Sequence, residues 1–306
     1  MPCTLITHND CLEHRPAEGH PERPERLSYL LNHLRDSGML ADLETLTADP
    51  AQRTELERVH PPSFVDALFD AAPESGLISV EPDTQMSPGS LNAALLAAGA
   101  VVDAVELVLA GSNRRVFCAV RPPGHHAEEQ SAMGFCLFNS VAVGAASALQ
   151  HAGVERVAIL DFDVHHGNGT VDIFKDTAEV LVCSSFQHPF YPGRLYDVNR
   201  PNIINTPLPA GTDGRAFRAA IERDWLPALE QHRPDLILVS AGFDGHRDDP
   251  LGGFELSDDD FAWISELIVA EARSHCDGRI VSTLEGGYDL DALARATTRH
   301  LEVLNA

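Results

Sequence analysis

Short, unbroken apolar runs punctuate this chain, and longer Ala-rich or amphipathic stretches separate them. Residues 116–120, 157–160, 180–183, 236–239 and 280–283 show almost no apolar–polar alternation. Strands covered on both faces read this way, because neither face meets water. The intervening stretches predict helices at 24–37 with Gly38 past the end, from Ser87-Pro88 to Gly111, at 139–150 closed by Gly153, at 215–231, and from Ser257 onward. In the last, Ser257 is an N-cap, and Asp258, Asp259 and Asp260 lie in the first turn, where the helix dipole favours negative charge. Strand, helix, strand in succession implies parallel strands with right-handed crossovers. The expected class is α/β, an open layered sandwich. No repeat, low-complexity tract or long linker interrupts it, so residues 1–306 are expected to form a single domain.

The residues after each run carry the chemistry. Arg121, Pro122, Pro123, Gly124, His125 and His126 follow the first, and Asp161, Phe162, Asp163, Val164, His165 and His166 follow the second. Ser240, Ala241, Gly242, Phe243 and Asp244 follow the fourth; Leu284, Glu285, Gly286, Gly287 and Tyr288 follow the fifth. Open parallel sheets bind ligands outside the carboxyl ends of their strands, so four strand ends deliver His, Asp and Tyr to one edge. Asp163 and His165, two apart in an extended segment, point the same way, and Asp244 can meet them from a neighbouring strand. Alone, the D-x-H pair reads more readily as an Asp–His hydrogen bond. Two carboxylates and an imidazole would leave the fourth position open, as catalytic zinc sites do. Oxygen and nitrogen ligands also accept Fe2+ or Co2+. An ion there would acidify water, adjacent His125 and His126 titrate in the range needed to move protons, and Tyr288 could donate to an oxyanion.

Charge narrows the partners. Asp and Glu number 46 against 22 Lys and Arg, a formal net charge of -24. Phosphate binding needs clustered cations, so nucleic acid and anionic membrane are not expected partners. A cationic substrate, such as a lysine-rich tail or a polyamine, suits this balance. The six cysteines form no C-x-x-C pair, which points to reduced thiols. Met1-Pro2-Cys3-Thr4-Leu5 shows no leader, and no apolar run approaches the roughly 20 residues that span a bilayer, so a cytoplasmic protein is expected.

Five ordered motifs resemble the histone deacetylase superfamily: R-P-P-G-H-H-A at 121–127, G-F-C-L-F-N-S at 134–140, D-F-D-V-H-H-G-N-G-T at 161–170, A-G-F-D at 241–244 and L-E-G-G-Y at 284–288. The wording is similar to the class II branch and its bacterial relatives, which include acetylpolyamine amidohydrolases. The resemblance runs from about His20 to past Tyr288. It implies the arginase–deacetylase three-layer sandwich, with a central, mostly parallel sheet of about eight strands. It also implies a zinc-dependent amidohydrolase acting on linear amides. The substrate would be acetylated, or more broadly acylated, lysine in proteins or peptides, with acetylpolyamines or another small amide as the alternative.

Residue by residue, the resemblance makes Asp163, His165 and Asp244 the zinc ligands. His125 and His126 become the acid–base pair, supported by Asp161 and Asn168, and Tyr288 the carbonyl-polarising donor. Class I relatives carry Asp where Asn168 stands, so His126 should be less basic here. One or two structural potassium ions are implied. The first would use Asp161, the Ser184 hydroxyl and backbone oxygens of Asp163, His165 and Ser185. The second would use carbonyls near Phe174, Thr177 and Val180. Phe135 should form one wall of a narrow apolar channel and Phe190 or Tyr191 the other, beside Gly286 and Gly287. Leu251 falls at the rim, where some eukaryotic polyamine deacetylases carry Glu. Arg26 matches an Arg near an inner acetate-exit pocket. Two rivals stand beside this reading: a catalytically idle acyl-binding module, and an arginase-like ureohydrolase, which would need two metals and more aspartate. A homo-oligomer that narrows the channel mouth is left open.

Overall fold

The computed structural model describes residues 3–306. Met1 and Pro2, the start of the stretch read above for a leader, lie outside the described residues. In chain order the elements are β1 (Thr4–Thr7), α1 (Glu25–Asp36), β2 (Glu44–Thr47), α2 (Arg53–Leu56), α3 (Pro62–Ala71), β3 (Ile78–Glu81), β4 (Thr84–Met86), α4 (Ser90–Leu109), β5 (Arg115–Cys118), α5 (Ser140–Ala148), β6 (Val157–Asp161), α6 (Asn168–Phe174), β7 (Val180–Gln187), β8 (Ile203–Leu208), α7 (Gly214–His232), β9 (Leu236–Ala241), α8 (Asp258–His275), β10 (Ile280–Leu284) and α9 (Leu290–Leu304).

Eight strands pair in the order β2-β1-β5-β10-β9-β6-β7-β8, and every pairing is parallel. Strands β3 and β4 form a separate antiparallel ribbon. Every residue of β6, β7, β9 and β10 is buried, which explains their lack of alternation. This is the α/β arginase–deacetylase architecture. Ser257 does cap α8, in a reciprocal box with Asp260.

The differences lie where burial is one-sided or incomplete. Strand β2 reads Glu-Thr-Leu-Thr, is largely exposed and sits on one edge; β8, with Asn205, Thr206 and Pro207, is the other edge. Strand β7 continues through Ser184 and Ser185 to Gln187 because β8 pairs with it along that length. Helix α4 corrects the expectation about membrane-length runs. Within its 20 residues an 18-residue window has a mean hydropathy of 1.8, apolar and long enough to cross a membrane by composition alone, yet 67% of that window is buried within the protein. Gly99 on α4 allows a close crossing: a Cβ there would sit 1.9 Å from the Asp49 carbonyl oxygen.

Two buried histidines away from the strand-end cluster should make the fold sensitive to acid. His300 lies between the Ser265 hydroxyl at 2.6 Å and the Ser282 hydroxyl at 2.9 Å, and burial pushes its imidazole down to about 3. His60 accepts the Asn139 N–H at 3.1 Å and is pushed down to about 4, again chiefly by burial. Both fold as neutral rings. Below their ordinary value of about 6.5 the unfolded chain binds protons that the folded chain refuses, so stability falls as pH drops from there toward 3–4. Each ring contributes a slope of up to about 1.4 kcal/mol per pH unit. Urea unfolding at pH 7, 6 and 5 should show this decline, and His300→Gln should flatten it.

Candidate active site and metal centre

Strand ends β6 and β9 bring the predicted ligand set together. Asp163, His165 and Asp244 are buried, and one donor atom from each lies within 4.8 Å of the others. His165 Nδ1 stands 3.0 Å from Asp163 Oδ1 and 3.0 Å from Asp244 Oδ2. The carboxylates are oriented by backbone: Asp163 Oδ2 accepts the Gly286 N–H at 2.9 Å, and Asp244 Oδ1 accepts the Val164 N–H at 2.9 Å. Gly286 has no room for a side chain, since a Cβ would lie 2.1 Å from Asp244 Oδ2. Burial, and then the Asp163 charge, push the Asp244 carboxyl up to about 7. Burial also opposes the charge of His165, yet its bonds to both carboxylates hold it up at about 10. Two buried acids around one imidazole, with no thiolate, are a donor set that a divalent cation would neutralise. The residues present fit such an ion.

His125 and His126, delivered after β5, pack side by side with ring centroids 4.0 Å apart and planes tilted by 43°. His125 Nδ1 lies 2.9 Å from Asp161 Oδ2, and its Nε2 lies 3.8 Å from Asp163 Oδ2. Burial works against its charge, but Asp161 and Asp163 hold it well above the usual imidazole range. Burial also raises Asp161, so this pair keeps a proton between them. His126 Nδ1 lies 2.7 Å from Asn168 Oδ1, while Asn168 Nδ2 donates to Glu128 Oε1 at 2.7 Å. That second bond fixes the amide, so Nδ1 carries the hydrogen and Nε2 keeps its lone pair. Burial first, and the neighbouring His125 charge second, push His126 well below its ordinary value. The two adjacent imidazoles are therefore driven in opposite directions.

Tyr288 follows β10. Among the described residues its hydroxyl makes no hydrogen bond, and the ring lines a cavity. Burial pushes the phenol well above its ordinary value, so it stays a donor. Sequence reasoning missed what positions it. Asp249 Oδ2 accepts the Tyr288 N–H at 2.6 Å and the Asp289 N–H at 3.2 Å, and Oδ1 accepts the Leu251 N–H at 2.9 Å. Arg26 is buried, not on the surface: it donates to the carbonyls of Glu285 and Gly287 and sits 4.8 Å from the Tyr288 ring centroid. Glu22 bridges Arg26 and Arg121. Glu285 was also missed, although it stands in a quoted motif. Its carboxylate accepts from Gly124 N at 2.6 Å, His125 N at 3.2 Å and the Ser240 hydroxyl at 3.0 Å, tying three strand ends together.

A cavity of about 270 Å³ opens above these groups, lined by Phe135, Phe190, Tyr191, Leu251, His126, His165, Gly134, Tyr288 and Asp83. Both Phe190 and Tyr191 take part. Phe190 stacks on His165 at 5.3 Å and 18°, and Tyr191 meets His126 edge-on at 5.2 Å. Gly286 and Gly287 are absent from the lining: Gly286 lies against the Asp163 and Asp244 carboxylates, and Gly287 against Leu293 and Phe243. Phe135 holds a left-handed backbone, φ 69°. A non-glycine residue is rarely held there without surrounding support. The support is the start of β4: Thr84 Oγ1 accepts the Phe135 N–H at 3.1 Å, and Asp83 Oδ1 accepts the Gly134 N–H at 3.1 Å. Asp83 Oδ2 also accepts the Tyr191 hydroxyl at 2.8 Å, so one acid braces both walls. No sequence signal had marked Asp83.

The two implied monovalent sites differ. Ser184 is the ladder partner of Asp161, both are buried, and Ser184 Oγ accepts the Gly167 N–H at 3.2 Å. A buried carboxylate and a hydroxyl oxygen on neighbouring strands are donors of the kind a monovalent cation takes. The carbonyls of Phe174, Thr177 and Val180 also come together, but the side chain of Asn202 donates to all three. They do not fit a second ion.

Comparison with known proteins identifies the family and the fold. The histone deacetylase domain family matches residues 20–304. A probable deacetylase of Archaeoglobus fulgidus is 36% identical, over 94% of this chain and 81% of that protein. A histone deacetylase-like amidohydrolase of Pseudomonas aeruginosa is 40% identical, over 89% of this chain and 73% of that protein. The crystal structure of the HDA15 HD domain superposes with a TM-score of 0.92 at 34% identity, covering 99% of this chain and 88% of that one. Matched along nearly its whole length by both sequence and fold, this chain belongs to the histone deacetylase family of deacetylases and amidohydrolases.

Proposed function

We propose that the protein is a zinc-dependent hydrolase of linear amides that removes acetyl groups from acylated lysine. The observation that carries this reading is the convergence of Asp163, His165 and Asp244 beneath a cavity walled by Phe135, Phe190 and Tyr191. Asp163, His165 and Asp244 would hold the zinc. Bound there, it would supply Lewis acidity toward an acyl carbonyl and toward water.

The chain's own groups do the rest. His126, neutral with Nε2 free, accepts a proton from the attacking water and later returns it to the leaving amine. His125, kept protonated by Asp161, stabilises negative charge as it grows on the acyl oxygen. Tyr288 donates its phenolic hydrogen to that oxygen. The aromatic walls take the methylene stem of lysine and keep bulk water out. The corner of Asp161 and Ser184 would hold a potassium ion beneath the acid–base pair.

Asp249 should matter through Tyr288. Asp249→Asn replaces an acceptor oxygen with a donor, so at least one of the three N–H groups loses its partner. A charge-assisted bond of this kind is worth about 1.5–3 kcal/mol. A fall in kcat of about tenfold or more is expected, with a smaller change in KM, measured by steady-state deacetylation.

The apolar rim at Leu251 favours acyl-lysine over acylpolyamine. Purified protein, loaded with one zinc per chain, should hydrolyse an acetyl-lysine peptide faster than acetylputrescine or acetylspermidine, and a chelator should stop it. Faster turnover of the polyamines would move the substrate assignment. Bound zinc without turnover of any amide would leave an acyl-binding module.

A further inference from the structure

Three backbone carbonyls at the junction of α6 and β7 converge on one nitrogen. Asn202 Nδ2 donates to Phe174 O at 2.8 Å, Thr177 O at 3.0 Å and Val180 O at 3.0 Å. Two of these oxygens already accept one backbone hydrogen each, from Thr177 N at 2.9 Å and Val180 N at 3.1 Å. Their remaining lone pairs form a concave, electron-rich cradle. A cation stripped of water is one way to satisfy such a cradle, as carbonyl rings do in potassium filters. A side-chain amide is another: its NH2 group accepts nothing and has two hydrogens, one of them shared between two of the carbonyls. The reverse orientation of Asn202 is excluded by chemistry. It would set an amide oxygen against three carbonyl oxygens with no hydrogen to bridge them. At these distances no ion fits between nitrogen and oxygens.

We propose that Asn202 replaces the second monovalent cation of this fold, so that a side chain of the protein does the ion's structural work. The nitrogen is well held. Asn202 is only 9% exposed, its own carbonyl accepts the Val182 N–H at 2.8 Å, and it immediately precedes β8. The amide therefore pins the loop between α6 and β7 to the start of the edge strand β8. The junction stays closed at any potassium concentration, and of the two implied potassium sites the described residues keep a place for one, at Asp161 and Ser184. This exchange of amide for ion does not depend on which amide the active site cleaves.

Rubidium, a heavy stand-in for potassium, tests this directly. Crystals of the unaltered protein and of Asn202→Ala would be soaked in rubidium chloride and measured for anomalous scattering. The unaltered protein should show no peak among the three carbonyls, and Asn202→Ala should show one. In parallel, melting would be followed in potassium chloride and in choline chloride. Removing the amide empties the cradle, so Asn202→Ala should gain about 4 °C or more from potassium beyond whatever the unaltered protein gains. A rubidium peak among the carbonyls of the unaltered protein overturns the proposal. So does an Asn202→Ala protein that neither binds rubidium there nor responds more to potassium. If that variant does not fold, Asn202→Gly serves in its place, and the map of the unaltered protein still decides.

Discussion

Asp244→Asn should abolish turnover while leaving the chelated protein at least as stable as before. The substitution keeps the shape of the side chain and removes its charge. Asp163 and Asp244 are both buried around His165, and each raises the cost of ionising the other. In the absence of a divalent ion, that repulsion is relieved by the shared His165 imidazolium and by His125 beside Asp163. A neutral amide at 244 removes it, so melting in the presence of a chelator should stay level or rise. With zinc added, the unaltered protein should gain stability by mass action, by about 2.7 kcal/mol when zinc is a hundred times its dissociation constant. Asp244→Asn should lose most of that gain, bind well under one zinc per chain and fall below a thousandth of the original activity. Metal analysis, melting curves and deacetylation of one preparation separate these effects. A variant that keeps its zinc and its rate would remove Asp244 from the ligand set.

Tyr288→Phe should lower kcat by about 10²–10³, the usual cost of one oxyanion donor, or about 2.7–4 kcal/mol. KM should change little, because the hydroxyl contributes only when negative charge builds on the acyl oxygen. The expectation is sharp because this hydroxyl has no other employment among the described residues. Its backbone is pinned by Asp249 and its ring lies beside Arg26, so the aromatic body should stay in place without its oxygen. Burial keeps the phenol protonated, so the loss should be nearly constant from pH 6 to 9. A tenfold effect or less would mean that other donors polarise the carbonyl.

What the sequence revealed follows from burial. Strands β6, β9 and β10 are enclosed on both faces, so they read as unbroken apolar runs, and the groups at their ends could be placed on one edge before any coordinates. Strands β2 and β8 lie at the edges, carry polar residues and have no such signature. The ligand set was legible because Asp163 and His165 share one short segment and Asp244 ends the neighbouring strand. The braces were not. Asp83, Asp249 and Glu285 act through backbone N–H groups of residues far away in the chain, and Asp83 reaches across 51 positions to Gly134. A carboxylate that accepts from a distant main chain leaves no spacing to read. Phe135 shows the same limit, since nothing in G-F-C announces a left-handed phenylalanine.

The four strands whose ends carry Asp163, His165, Asp244, the paired histidines and Tyr288, namely β5, β10, β9 and β6, occupy the middle of the sheet, with two strands outside them on either side. Reactivity is thus insulated from the periphery. Insertions or fraying at β2 or β8 would have to propagate through two intact ladders before any donor moved. New loops grafted at those margins could reshape the surface a substrate approaches, while the cluster that breaks the amide kept its spacing.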